Sequence, residues 1–379
     1  MAATEGMNTT SVTEVSQEHE ENTTGIADIE RYVGIINGYV VPAIALLVLM
    51  TNAVVVAVFK RQKTYGASQA GLVGVAVSDT MTMLFPAPFY FYQFALGYKP
   101  SCEILEITAW ISLYLPTITH TASIWLTVVL AAQRYLYVCH PFKARSMCTL
   151  KNTTIIIVVT YVIAFLFHLS RFFVMVKSFD GNECTLVYRQ GIDSELYLKT
   201  YLTIRIIFIQ FVPCICLIVL NTIMLLGLRS ITNKKAELQN NPDNNQTVCK
   251  ENTRVTIMII CMAAITLLVE LPGGITISLH AANYYLGYEV ADSDHLMGAE
   301  IIINLLIMFS YPLNFLLYCS MSGEFKQTLS SMFPFSKSTC CKGQEIERKQ
   351  YRNRKIQANG NIQEEEMTLM THAAGATKV

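Results

Sequence analysis

Seven long apolar stretches alternate with short polar ones along the chain. They run roughly over residues 32–59, 68–97, 102–138, 153–176, 196–228, 254–282 and 294–319. Each is long enough to cross about 30 Å of hydrocarbon. Lipid offers no partner for a bare N–H or C=O, so each stretch is predicted to satisfy its backbone internally, as a helix. The expected fold class is all-α, a seven-transmembrane-helix bundle. Past the seventh stretch, Phe325, Leu329, Met332 and Phe333 recur at helical spacing in a segment too short and too polar to span. That spacing predicts a short amphipathic eighth helix on the membrane surface. The expected plan is a disordered extracellular tail over 1–31, a membrane domain over 32–320, the amphipathic helix over 321–333 and a cytoplasmic tail over 334–379.

Charge gives the plan a direction. One set of connections carries Lys60, Arg61, Lys63, Lys143, Arg145, Lys151, Arg229, Lys234, Lys235 and Lys250, whereas the other has only Lys99, Lys177, Arg189 and Lys199. Cytoplasmic loops collect Lys and Arg, so the expectation is a multi-pass plasma-membrane protein with its N-terminus outside. Asn8 and Asn22, each in an Asn-Thr-Thr triplet, are then glycosylation acceptors, and Asn152 and Asn245 fall on the unmodified side. No basic region precedes a short apolar segment, so the first span is expected to serve as its own insertion signal. Cys340 and Cys341, beside Lys337 and Lys342, form a candidate palmitoylation site.

Composition narrows the function. With 52% hydrophobic and 15% charged residues the chain departs from soluble domains, and a formal net charge of zero implies no attraction to nucleic acid. Eleven cysteines show no C-x-x-C or Cys/His metal spacing. Cys102 and Cys184 fall in segments expected to face outward, where oxidising conditions permit a disulfide. His120 and Glu270 form no recognisable catalytic set, so no enzyme is expected.

The stretch Gln133-Arg134-Tyr135, followed by Cys139-His140-Pro141-Phe142, resembles the inner end of helix 3 in rhodopsin-type G-protein-coupled receptors. A guanidinium ending a lipid-length helix belongs at a water boundary or in a protein cavity. The resemblance implies that Arg134, with Gln133, Tyr135 and Pro141, receives a heterotrimeric G protein, and that arrestin is a further partner. Asn52 and Asp79 match the family's mid-membrane polar pair, and Ser123 matches a position beside that carboxylate where a sodium ion often binds; no other cofactor is implied. Pro213, Pro272 and Pro312 match prolines that serve as hinges. Cys102 lies seven residues farther from Arg134 than the family norm. Seven residues are two helical turns, which return a side chain to nearly the same face. A longer helix 3 is therefore expected to keep the family's bridge, here Cys102–Cys184.

Departures from the family pattern are equally specific. Gln133 stands in place of the usual acid, leaving Arg134 a neutral hydrogen bond at most; near the inner end of helix 6 the family's acid is replaced by Asn252, with Glu251 beside it. In Tyr311-Pro312-Leu313-Asn314-Phe315 the family's switch tyrosine is replaced by Phe315, which also puts sodium binding at Asp79 in question. Glu270 occupies the place of the switch tryptophan.

The runs His120-Thr121-Ala122-Ser123-Ile124-Trp125-Leu126-Thr127, His168-Leu169-Ser170-Arg171-Phe172-Phe173, Val269-Glu270-Leu271-Pro272 and Ser310-Tyr311-Pro312-Leu313-Asn314-Phe315 are similar to those of invertebrate receptors for amidated neuropeptides, the group of sex-peptide/myoinhibitory-peptide, myosuppressin and FMRFamide-type receptors. The resemblance implies a short amidated peptide ligand and inhibitory Gi/o coupling. Candidate ligand-binding residues are His120, Arg171, Arg205, Glu270 and Asn304. Arg205, about two turns outward of Pro213, is expected to face the cavity, and Glu270 is expected either to pair with it or to take a ligand group. Thr377-Lys378-Val379 fits a PDZ-domain ligand, which would extend a sheet edge. Two alternatives stand beside this reading: an orphan receptor for a small aromatic molecule, and a secondary transporter, although no internal repeat is visible.

Overall fold

The computed structural model describes residues 31–62, 65–180, 183–237 and 245–332. Seven helices are long and apolar enough to cross a membrane: α1 (Arg31–Arg61), α2 (Ala67–Ala95), α3 (Leu105–Cys139), α4 (Leu150–Val174), α5 (Ser194–Ser230), α6 (Thr253–Leu286) and α7 (Ser293–Met321). A final helix, α8, covers Gly323–Met332. The bundle unit ends at Phe325, and a second unit begins at Lys326. Asn8, Asn22, Cys340, Cys341 and Thr377–Val379 lie outside the described residues, as do the side chains of Glu251 and Asn252.

Within the bundle, α3 runs through the middle against α2, α4, α5 and α6, while α7 closes the ring between α6 and α1. Small residues on α2 permit a close approach. A Cβ on Gly71 would lie 2.6 Å from Leu130 Cδ2 on α3, and one on Gly74 would meet Leu126 at 3.4 Å. Helices in lipid gain no hydrophobic drive from one another, so this close packing is what holds them together. Threonines and serines along the spans return their hydroxyls to the preceding turn, as Thr82 Oγ1 does to Ser78 O (2.9 Å) and Thr121 Oγ1 to Thr117 O (2.8 Å). These hydroxyls are thereby satisfied without water.

Proline spacing accounts for three of the four wide turns among the described residues; the fourth, Phe91–Ala95 in α2, has no proline two residues on. Wide five-residue-offset turns cover Ile36–Val40, Trp110–Tyr114 and Ile206–Phe211, each ending two residues before a proline: Pro42, Pro116 and Pro213. A proline lacks the N–H that its preceding turn needs and its ring presses on that turn's carbonyl. A locally widened turn relieves both. By contrast, α6 and α7 remain helical through Pro272 and Pro312.

At one end of the bundle, α4 gives way to a hairpin of β1 (Met175–Asp180) and β2 (Glu183–Tyr188), antiparallel, with Met175 opposite Tyr188 and Phe179 opposite Cys184. The expectation of helix through Val176 is thus corrected: the chain turns extended at Met175, where pairing with β2 replaces helical bonds. Cys184 on β2 is disulfide-bonded to Cys102, with the Cα atoms 5.4 Å apart. The route to that bridge also differs from expectation. Cys102 lies in a turn closed by Ile104 N–H to Ser101 O, ahead of the start of α3 at Leu105. A turn, not two extra helical turns, carries the thiol to the hairpin, and Glu106 Oε1 accepts from Lys177 N–H (2.9 Å) to pin it there.

At the opposite end, Phe59, Tyr318 and Phe325 stack edge to face, with ring centroids 5.3–5.7 Å apart. A two-turn helix, Pro141–Met147, follows α3 and leaves Phe142 almost fully exposed.

Candidate functional site

Polar side chains inside the bundle gather into one chain across four helices. Tyr311 Oη on α7 lies 3.0 Å from His120 Nδ1 on α3. His120 Nε2 lies 3.4 Å from Glu270 Oε1 on α6. Gln210 Nε2 on α5 donates to Glu270 Oε2 (3.0 Å) and also to the Glu270 main-chain carbonyl. A carboxylate only accepts, so Nε2 of the imidazole carries a proton toward Glu270; in the neutral ring Nδ1 then accepts from the Tyr311 hydroxyl. Glu270 is 4% exposed, and a buried charge without such partners would be very costly.

This chain forms the wall between two cavities. His120 and Glu270 line an outer cavity of about 100 Å³ together with Arg205, Gln210, Glu300 and Asn304. They also line a mid-bundle cavity of about 30 Å³ shared with Asp79, Ser123, Tyr311 and Asn314. In the smaller space Ser123 Oγ donates to Asp79 Oδ1 and Asn314 Nδ2 to Asp79 Oδ2 (3.2 Å). Asn52 does not reach Asp79; its amide donates one turn away, to Ala76 O (3.1 Å) and Thr80 Oγ1 (3.0 Å). The residues beside Asp79 therefore include oxygen donors suited to a small cation, but Asp79 already accepts from both Ser123 and Asn314.

Arg205 faces the outer cavity, and of the two alternatives for Glu270 the pair with Arg205 is not formed among the described residues: the carboxylate oxygens face His120 and Gln210 instead. Arg171 lines neither cavity: its guanidinium sits over the rings of Tyr114 (4.6 Å) and Tyr201 (5.4 Å), where the aromatic faces stabilise it. Beside it, fully buried His168 joins Thr121 Oγ1 (3.0 Å) to Tyr201 Oη (2.9 Å), locking α3, α4 and α5.

At the end away from the disulfide, Gln133 turns from Arg134 and donates to Thr153 Oγ1 on α4 (2.9 Å). Even the neutral hydrogen bond that a glutamine there permits is not made to the guanidinium among the described residues. Arg134 lies 5.4 Å from the Tyr137 ring centroid and its Nε has no partner among the described residues. It lines a third cavity, of about 230 Å³. Tyr135 Oη lies 3.2 Å from His140 Nε2, next to Pro141, and Phe315 packs on Phe325 (6.2 Å).

Several of these partners escaped sequence reasoning. Gln210 is the lone polar residue in Ile206–Phe211, and Glu300 is the only carboxylate of α7 beyond its first turn; either fact marks a residue that lipid would not tolerate. That Tyr311 meets His120, 191 positions away, had no local signal.

A family model described as "Serpentine type 7TM GPCR chemoreceptor Srw" matches residues 69–336. The sex peptide receptor of Drosophila melanogaster is 30% identical over 320 residues, covering 78% of this chain and 72% of that protein. Sex peptide receptor-related protein 2 of Caenorhabditis elegans is 25% identical over 328 residues, 79% and 71% of the two chains. The FMRFamide receptor of D. melanogaster is 24% identical over 225 residues, 57% of this chain and 38% of the other.

Proposed function

Since the chain belongs to the serpentine seven-transmembrane G-protein-coupled receptors, a family of signalling receptors and not of enzymes or transporters, we propose that it is a plasma-membrane receptor for a short amidated neuropeptide. The disulfide end faces outward on this reading, in keeping with the Lys and Arg bias of the opposite loops. The peptide's amidated end enters the cavity lined by Arg205, Glu300 and Asn304 and reaches the His120–Glu270 wall. Names of the related receptors support a peptide of the sex-peptide or FMRFamide kind, and Gi/o is the coupling the resemblance implies. Arrestin and, through Thr377–Val379, a PDZ domain are further partners on the cytosolic side.

The observation that carries this reading is the Tyr311–His120–Glu270–Gln210 chain. It ties α3, α5, α6 and α7 together at the floor of the outer cavity, two residues from Pro272. A ligand group that competes for Glu270 or His120 loosens α6 at its proline. The inner ends then part around Arg134, Tyr135 and Pro141, which meet the G protein. Binding drives this only by the difference in its affinity for the two arrangements.

The test is expression in cells with readouts for each Gα class against a panel of amidated peptides and their free-acid counterparts. The expected result is a response to an amide, blocked by Gi/o inactivation. Responses confined to small aromatic molecules would refute the peptide assignment.

A further inference from the structure

The largest of the three cavities is lined by Arg134 with residues of α1, α2, α6 and the start of α8, and by Gln62 and Ser322 just past the ends of α1 and α7. Two of its polar groups are buried and, among the described residues, unmet. Arg134 is 8% exposed and its Nε has no acceptor there; Gln62 is 9% exposed and its Oε1 has no donor there. Gln133, next to Arg134 in the chain, turns its amide to Thr153 on α4 and makes no hydrogen bond to the guanidinium. A buried donor left unpaired is costly, more so when it is charged, and a cavity of about 230 Å³ has room for a small ion with several waters at about 30 Å³ each.

The chemistry of the wall selects the ion. Arg134 requires an acceptor with negative charge, and a planar guanidinium presents parallel N–H groups that suit two oxygens of one oxyanion. Gln62 Oε1 requires a donor. Glu324, also on the wall, disfavours a fully deprotonated anion there. Exposed Lys60 and Arg61, next to Gln62 in the chain, favour the approach of negative charge.

We propose that the resting receptor holds a protonated phosphate here, accepting from Arg134 and donating its P–OH to Gln62. The phosphate is either inorganic or the monoester headgroup of a lipid. It supplies the counter-charge that the missing acid at position 133 does not, and it occupies the space a G protein must enter.

The test uses purified full-length receptor. In detergent at neutral pH, sodium phosphate is expected to raise the melting temperature by roughly 3 °C, while sodium sulfate at equal ionic strength, lacking the proton, does not. Arg134→Leu abolishes the response. Gln62→Leu, which keeps the charge, raises the phosphate concentration for half-effect about tenfold, the worth of one hydrogen bond to a charged group; it decides the matter should Arg134→Leu fail to fold. A second arm places receptor in phosphatidylcholine nanodiscs, with or without phosphatidylinositol monophosphate and without inorganic phosphate. Stabilisation there that needs Gln62 assigns the site to a lipid headgroup, and stabilisation only in the first arm assigns it to the free ion. An equal response to sulfate, an undiminished response in both variants, or no response in either arm overturns the proposal.

Discussion

Replacing Glu270 by Gln perturbs the wall between the cavities with almost no change of shape. The carboxylate accepts from Gln210 through Oε2 and faces His120 Nε2 through Oε1, 3.4 Å away. An amide is neutral and has one acceptor oxygen, so in Glu270→Gln its NH₂ faces either Gln210, where a contact is lost outright, or His120, where the contact survives only as a neutral one after the imidazole changes tautomer; either way a hydrogen bond to a charged group is lost. A hydrogen bond to a charged group contributes about 1.5–3 kcal/mol. If the chain is made in the resting arrangement and broken in the active one, its loss moves the equilibrium by about 10- to 150-fold, at 1.4 kcal/mol per tenfold. An active fraction of ~1% without ligand would rise to at least about a tenth. The assay is ligand-free nucleotide exchange on G protein in membranes matched for surface receptor, with agonist potency measured alongside. Raised basal exchange and altered potency are expected. Normal surface expression with both quantities unchanged would refute the reasoning, because it would mean that Glu270 makes the same contacts in both arrangements.

Gly274 sits against Gln210, where a new Cβ would lie 2.3 Å from Cγ; Gly274→Ala is expected to cost about 1–3 kcal/mol by overpacking. Adding Gln210→Ala should restore surface expression, and a double variant no better than the single would sink the explanation. Cys102 and Cys184 close a loop with a sequence separation of 82. Changing either to Ser should lower stability by roughly 2–5 kcal/mol and changing both should cost no more, as read by thermal inactivation of surface receptor. Asp292 caps α7, accepting from His295 N–H (2.9 Å) and Asp294 N–H (3.0 Å), and the His295 amide leads the contacts that hold its carboxyl below the usual carboxylate range. With the folded pKa lowered, the cap's contribution is complete above the unfolded value and is lost as pH falls through the folded one. Hydrogen exchange at the Asp294 and His295 amides should therefore stay slow until pH drops below the ordinary aspartate range. In Asp292→Ala it should be fast at every pH.

The departures from the family pattern are related in space. Glu270 and Tyr311, far apart in the chain, both contact His120, so that the three form one continuous polar series. Asn314, one turn beyond Tyr311, supplies the amide to Asp79. A residue type that looks anomalous alone is thus compensated by a second anomaly on a neighbouring helix.

From residue order alone, the number of spans, their limits to within a few positions, and many of the polar residues that lipid would not tolerate were legible, Gln210 and Glu300 being passed over. The reason is local: a segment in hydrocarbon must satisfy its own backbone, and a charge there is conspicuous whatever surrounds it. Which polar group meets which was not legible. Arg205 was as eligible a partner for Glu270 as His120, and Gln133 for Arg134 as for Thr153. Those choices follow from how each helix is rotated and how deeply it sits. Both are set by contacts such as Gly71 on Leu130 and Gly274 on Gln210, between residues far apart in the chain. The hairpin that carries Cys184 to its partner is decided in the same way, by strand pairing across a turn and not by the helical periodicity that precedes it.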